Sequence, residues 1–199
     1  MSNVLKEKFL LFRIRAKKDP EAFGQIYDVY VDRIYRFIYF KVASAELAED
    51  LTSETFLKAW QYLMGKRDVP HLQALLYTVA RTTVIDHYRA AAASRQDVPL
   101  DETLSDEDPR LASDKFIRDI ESGLDAARVV EKLHGLKDEY REVMVMRFLD
   151  GLSAGEIAAA LGKTPAAVRV LIHRATRTLA AMLEHESQRT PENSLERQA

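Results

Sequence analysis

Among 199 residues there is no cysteine. That absence removes disulfides, cysteine-based zinc fingers and thiol catalysis together, and it is compatible with a reducing compartment. No apolar run approaches the length of a membrane span, so no membrane insertion is expected. The first 18 residues hold only the short run Phe9 to Phe12 between charges, too little for a signal peptide. The five histidines, His71, His87, His134, His173 and His185, are scattered, and no pair has metal-ligand spacing. Phosphate-binding glycine loops and dinucleotide fingerprints are missing as well. A soluble cytoplasmic protein without cofactor or metal follows.

Hydrophobic residues make up 47% of the chain, enough for a substantial core in one large or two small domains. The net charge is −2, which argues weakly against a bulk electrostatic DNA binder. Its distribution matters more. Ten acids lie between Asp97 and Asp125, opposed only by Arg110, Lys115 and Arg118. Acidity therefore sits mid-chain, with basic segments on either side.

The segment from Ser153 to Ala175 reads as two short helices around a tight turn. Ser153 and Glu156 form a capping box, and Gly162 closes the first helix. Thr164 caps the second, with Pro165 at its first position, where a missing N–H costs nothing. Val168, Ile172, Ala175 and Leu179 repeat at core spacing, while Ala166, Arg169, Val170, His173 and Arg177 face outward. From Lys163 to Leu183 there are four basic residues, Lys163, Arg169, Arg174 and Arg177, and no acid. This is the pattern of a helix-turn-helix whose second helix enters the major groove of DNA. An ordinary helical hairpin fits the caps equally well but does not explain the missing acids.

The first 93 residues read as helix almost throughout. Leu5, Phe9, Phe12 and Ala16 mark the apolar face of a short amphipathic helix. Asp19-Pro20 opens a second helix, continued by Phe23, Tyr27, Tyr30, Ile34 and Phe37. A third runs from about Ala45 to Leu63, its acids toward the start, where the macrodipole favours them. After the loop from Gly65 to Pro70, a fourth helix runs to about Ala93 on a core stripe of Leu72, Leu75, Leu76, Val79, Ala80 and Thr83. Residues 94 to about 113 read as a linker; helix returns around Phe116 and Ile120, from Asp125 to Leu133, and from Glu139 to Leu149. The expected fold is all-α: a helical bundle over 1–93, an acidic flexible linker over 94–124, a helix-turn-helix domain over 125–185 and a polar tail over 186–199.

Two helical domains in this order resemble the extracytoplasmic-function sigma factors, small bacterial RNA polymerase specificity subunits. Ala48 through Trp60 is similar to the segment that docks on the polymerase clamp. Leu76 to Arg81 and Ile85 to Arg89 resemble the helix that faces the −10 promoter element, and Leu152 through Ala175 resembles the −35-binding helix-turn-helix. The resemblance implies core polymerase, promoter DNA and an anti-sigma factor as partners. It assigns polymerase binding to Glu49, Asp50, Leu51, Glu54 and Phe56. For −10 contacts it implies the loop residues Lys66, Arg67 and Asp68. On the fourth helix, Tyr77, Arg81 and Tyr88 share a stripe with Arg89 beside it, suited to stacking bases and holding phosphates. The −35 contacts fall on Lys163, Thr164, Ala166, Arg169, Val170, His173, Arg174 and Arg177. Leu75, Thr82 and the pair Val170-Leu171 depart from the pattern of many relatives, which leaves the promoter sequence open.

Plainer readings stand beside each piece. The cluster around Asp50 also fits a solvated, dipole-compensating helix start, and the tyrosines also fit half-buried core. Two other functions are compatible with the composition, a stand-alone helix-turn-helix repressor and a helical protein-interaction adaptor. Binding to core polymerase without DNA separates the three.

Overall fold

The computed structural model describes residues 3–42, 44–65, 68–94 and 132–189, and among these the regular structure is entirely helical. The helices are α1 (Asn3–Lys17), α2 (Pro20–Val42), α3 (Ala45–Met64), α4 (Leu72–Ser94), α5 (Asp138–Met144), α6 (Ala154–Leu161) and α7 (Pro165–Arg189). The chain divides into two compact units, with α1–α4 in the first and α5, α7 and most of α6 in the second. The expected linker over 94–124, the helix around Phe116 and Ile120 and the tail from 190 lie outside the described residues. So does all but the end of the helix expected over 125–133, whose residues 132–134 are helical.

Local chemistry sets the helix boundaries of the first unit. Lys18 takes a left-handed backbone, φ 51°, which ends α1 and turns the chain. Asp19 then caps α2: its Oδ1 accepts from the backbone N–H of Glu21 at 3.0 Å and of Ala22 at 3.2 Å. Its Oδ2 accepts from Arg13 Nε at 2.8 Å. The Ala22 N–H and the Arg13 guanidinium hold the Asp19 carboxyl below the ordinary aspartate value. Ser44 caps α3 by accepting from Leu47 N–H at 3.3 Å.

The core of this unit lies between α2, α3 and α4, with α1 laid against α2. Ile14, Ile26, Ile34, Phe37, Ile38, Phe40, Leu63, Leu76 and Tyr77 are fully buried there. Each large side chain removed from water contributes roughly 1.5–3 kcal/mol, so this cluster supplies the main driving force. Thr52 and Thr55 enter the core because their hydroxyls donate to the carbonyls of Ala48 and Leu51, both at 2.6 Å. On α4, Leu72, Leu76, Ala80 and Thr83 are buried as expected, whereas Leu75 and Val79 are only half-buried.

One expected face is reversed. In α1 the buried residues are Leu10, Leu11 and Ile14, while Leu5, Phe9 and Phe12 are 58%, 59% and 64% exposed. Both faces of this helix are apolar, and the packing against α2 selects the one centred on Ile14. Glu7 on that side accepts from the Tyr30 hydroxyl at 2.7 Å.

In the second unit, α5 packs against α7. The helix expected over 139–149 is α-helical only to Met144; Val145–Leu149 forms a π-helical turn, closed by Asp150 N–H donating to Val145 C=O at 3.1 Å. Gly151, at φ 73°, then leads into the helix-turn-helix. His134, largely buried, has its pKa pushed down to about 4, first by desolvation and then by the Arg141 charge.

Candidate polymerase and nucleic-acid interfaces

The helix-turn-helix is built from reciprocal local bonds. Glu156 N–H donates to Ser153 Oγ at 3.2 Å, and Ser153 N–H donates to Glu156 Oε2 at 2.8 Å. The capping box read from the sequence is therefore present. Gly162 takes φ 63°, and Lys163 N–H reaches back to Ala158 C=O at 3.0 Å, completing a Schellman turn. Thr164 Oγ1 accepts from Ala167 N–H at 3.2 Å, so its side chain is engaged as a cap. The turn that sets the angle of α7 is thus specified at every step by hydrogen bonds within a few residues.

Along α7 the two faces separate as the spacing predicts. Val168 and Ala175 are fully buried, and Ile172 and Leu179 half-buried. Ala166, Arg169, Val170, His173, Arg174 and Arg177 are exposed, with Val170 at 50%. Lys163 is exposed too, but its Nζ lies 2.8 Å from Glu139 Oε1, tying the turn to α5. The result is a helix whose outer face presents three arginines, a histidine and a valine.

On α3 the acids Glu49, Asp50 and Glu54 are exposed on the surface of the first unit. Glu54 pairs with Lys58 at 2.8 Å. Leu51 and Phe56, assigned by resemblance to the same docking surface, are 2% and 3% exposed and belong to the core. Phe56 meets Tyr27 with ring centroids 4.7 Å apart and Phe23 at 6.3 Å. The two residues fix the helix that displays the acids and do not themselves present a surface. A residue missed by sequence reasoning is Leu57, 56% exposed and two turns beyond Asp50 on the same side of α3. Its spacing was the available signal, but the adjacent buried Phe56 makes Leu57 read as core.

Along α4 the stripe of Tyr77, Arg81 and Tyr88 passes from core to surface. Tyr77 is completely buried, with its ring 5.1 Å from Phe37. It is a core residue, and the expectation that it stacks on a base is corrected: reaching DNA would require opening the bundle. Arg81 is half-buried. Beyond Val84 no described residue of α4 is buried, so Tyr88, 45% exposed, and Arg89 stand on the projecting end of the helix. Tyr88 lies edge-on to His87, with centroids 5.7 Å apart. Arg89 is 3.9 Å from Asp86, which is also 3.9 Å from Lys58. In the loop before α4, Asp68 is exposed and lies 3.4 Å from Arg15 Nη1; Lys66 and Arg67 lie outside the described residues.

Two family models match the chain in order: Sigma-70 region 2 over residues 26–94 and Sigma-70, region 4 over residues 126–179. The ECF RNA polymerase sigma factor BldN of Streptomyces coelicolor is 36% identical over 174 residues, 85% of this chain and 63% of BldN. The chain thus spans a little under two thirds of that relative's length. SigW of Bacillus subtilis, another ECF sigma factor, is 28% identical over 84% of this chain and 91% of its own. Among solved structures, CnrH in complex with the cytosolic domain of CnrY has the same fold, with a TM-score of 0.66 at 24% identity over 90% of this chain and 98% of that one.

A helix-turn-helix unit carrying region 4, preceded by a helical bundle carrying region 2, defines a sigma factor. The chain belongs to the extracytoplasmic-function RNA polymerase sigma factors. No helix among the described residues is long and apolar enough to cross a membrane.

Proposed function

We propose that this chain joins core RNA polymerase through the acidic face of α3 and directs it to promoters by reading two elements. The observation that carries this reading is the division of α7 into a buried apolar face and an exposed basic one. An exposed arginine face on the second helix of a helix-turn-helix suits the major groove. Arg169, Val170 and His173 supply base-edge chemistry for the −35 element, Ala166 lets the backbone approach, and Arg174 and Arg177 hold phosphates. Thr164 acts chiefly as the cap that aims this helix, and Lys163 must exchange Glu139 for a phosphate to contribute. On the first unit, the projecting end of α4 offers Tyr88 to an unstacked base, with Arg81 and Arg89 for phosphates, and the loop holding Lys66, Arg67 and Asp68 lies just before that helix. Glu49, Asp50 and Glu54, with Leu57 beside them, meet a basic surface on the polymerase.

Within this reading the functional domains span 1–93 and 125–185, joined by the acidic tether 94–124, and the protein works in the cytoplasm. The neighbours CnrH and RpoE were solved with CnrY and with the anti-sigma factor NepR. By analogy this chain is held by an anti-sigma factor until released. The deciding experiment is reconstitution: the chain should bind purified core polymerase without DNA and start transcription at promoters that core enzyme alone ignores. Binding to duplex DNA with no affinity for core polymerase would replace this reading with a repressor.

A further inference from the structure

The helix α1 carries two apolar faces, and only one is used by the bundle. With 100° per residue, Leu5, Phe9, Phe12 and Ala16 fall within a narrow stripe opposite the buried Leu10, Leu11 and Ile14. Two phenylalanines and a leucine, each more than half exposed, leave roughly 300 Å² of apolar surface, comparable to the largest patch on a typical monomer, which often serves a function. Cations border this stripe on both sides. Lys8 flanks one edge, and Lys6 and Lys17 the other, all three exposed; Arg13 beside them is paired with Asp19, and Arg15 turns a largely buried guanidinium toward Asp68. The sole acid of the helix, Glu7, points to the opposite side and is bonded to Tyr30.

We propose that this outer face of α1 is a docking surface for an acidic amphipathic helix of a partner protein. The anchors stand at i, i+4 and i+7, the spacing with which one helix lies along another. Acids on both flanks of the incoming helix would meet Lys8 on one edge and Lys6 and Lys17 on the other, fixing its register. Arg13 is already oriented, held by Asp19 and lying 6.0 Å from the Phe9 ring centroid, so the rim beside that anchor is ordered before binding. A second copy of this chain is disfavoured, because pairing α1 with itself sets like charges against each other. An anionic bilayer offers similar chemistry, but with the back of α1 fixed against α2 only three large apolar side chains reach it, a small area for interfacial binding, whose strength scales with the apolar area buried. The surface uses none of the residues assigned to polymerase or DNA, and the proposal stands apart from that reading.

The test uses the full chain and a labelled three-heptad peptide with leucine at the a and d positions and glutamate at e and g, followed by fluorescence anisotropy. The expected result is saturable binding, weakened about tenfold by Phe9→Ser with Phe12→Ser and likewise by Lys6→Glu with Lys8→Glu. All four side chains are solvent-facing, so circular dichroism and the thermal midpoint should not change. The charge-reversal pair provides the test if the serine pair perturbs folding. Absence of saturable binding, indifference to both pairs of substitutions, or equal binding of a peptide with lysine at e and g would overturn the proposal. Cosedimentation with phosphatidylglycerol vesicles that depends on Phe9 and Phe12, without peptide binding, would overturn it in favour of a membrane surface.

Discussion

The ring of Tyr77 meets that of Phe37 edge-on, with centroids 5.1 Å apart and planes at 88°. Both side chains are sealed inside the first unit. An edge-to-face pair of this kind stabilises beyond the area it buries. Tyr77→Ala should therefore cost about 3–5 kcal/mol of stability, measured by chemical denaturation. Tyr88→Ala, on the projecting end of the same helix, should leave the denaturation midpoint unchanged. It should weaken capture of a single-stranded −10 probe by the polymerase complex by roughly 1–3 kcal/mol. A large stability loss at Tyr88 and none at Tyr77 would reverse the assignment of the two residues.

Arg169 and Arg177 share the outer face of α7 but are expected to act differently. Arginine grips guanine through two bonds, worth roughly 1–3 kcal/mol of discrimination, whereas a phosphate contact is indifferent to sequence. Arg169→Ala should change which bases matter in a randomised −35 library. Arg177→Ala should lower binding to all members evenly and reduce the salt dependence. Identical flat losses for both variants would remove the distinction.

Charge reversal at Asp50 tests docking on the polymerase. Asp50 is exposed, so Asp50→Lys should leave folding within about 0.5 kcal/mol of the parent. Against a basic partner surface it turns attraction into repulsion, and affinity for core polymerase should fall by an order of magnitude or more. Leu57→Ser should weaken the same affinity without affecting DNA contacts. Unchanged core affinity in both variants would place the docking surface elsewhere.

His134 gives the second unit a pH dependence of known sign. Its folded value, about 4, lies below the ordinary 6.5, so the unfolded chain binds more protons between these limits. The stability associated with the neutral imidazole is fully present above pH 6.5 and is lost as pH falls toward 4. NMR signals from α7 should report a falling urea midpoint across that window. His134→Gln should remove that part of the slope; an unaltered slope would assign it to other groups.

The helix-turn-helix was legible because its determinants are local. Ser153 with Glu156, Gly162, and Thr164 with Pro165 act over three or four residues, and no distant contact is needed to specify them. The outward face of α7 was legible for a related reason: its apolar and basic residues differ in chemistry, so a single period separates them. Where that contrast disappears, periodicity alone fails. In α1 both faces are apolar, and nothing in the spacing ranks Ile14 above Phe9.

Leu51, Phe56 and Tyr77 show the same limit at the interfaces. Each sits at a position similar to functional residues of the family, yet each is buried. By itself, the order of residues determined the capped helix boundaries, the all-helical class, and the separation of acidic and basic segments, since these follow from caps, spacing and charge; the π-helical turn over Val145–Leu149 has no such local signal. Which apolar face enters the core and how far α4 extends beyond the bundle were decided only by tertiary packing. Burial is a property of helices meeting: Tyr77 is covered because Phe37 faces it, and Tyr88, about three turns farther along one stripe, is not.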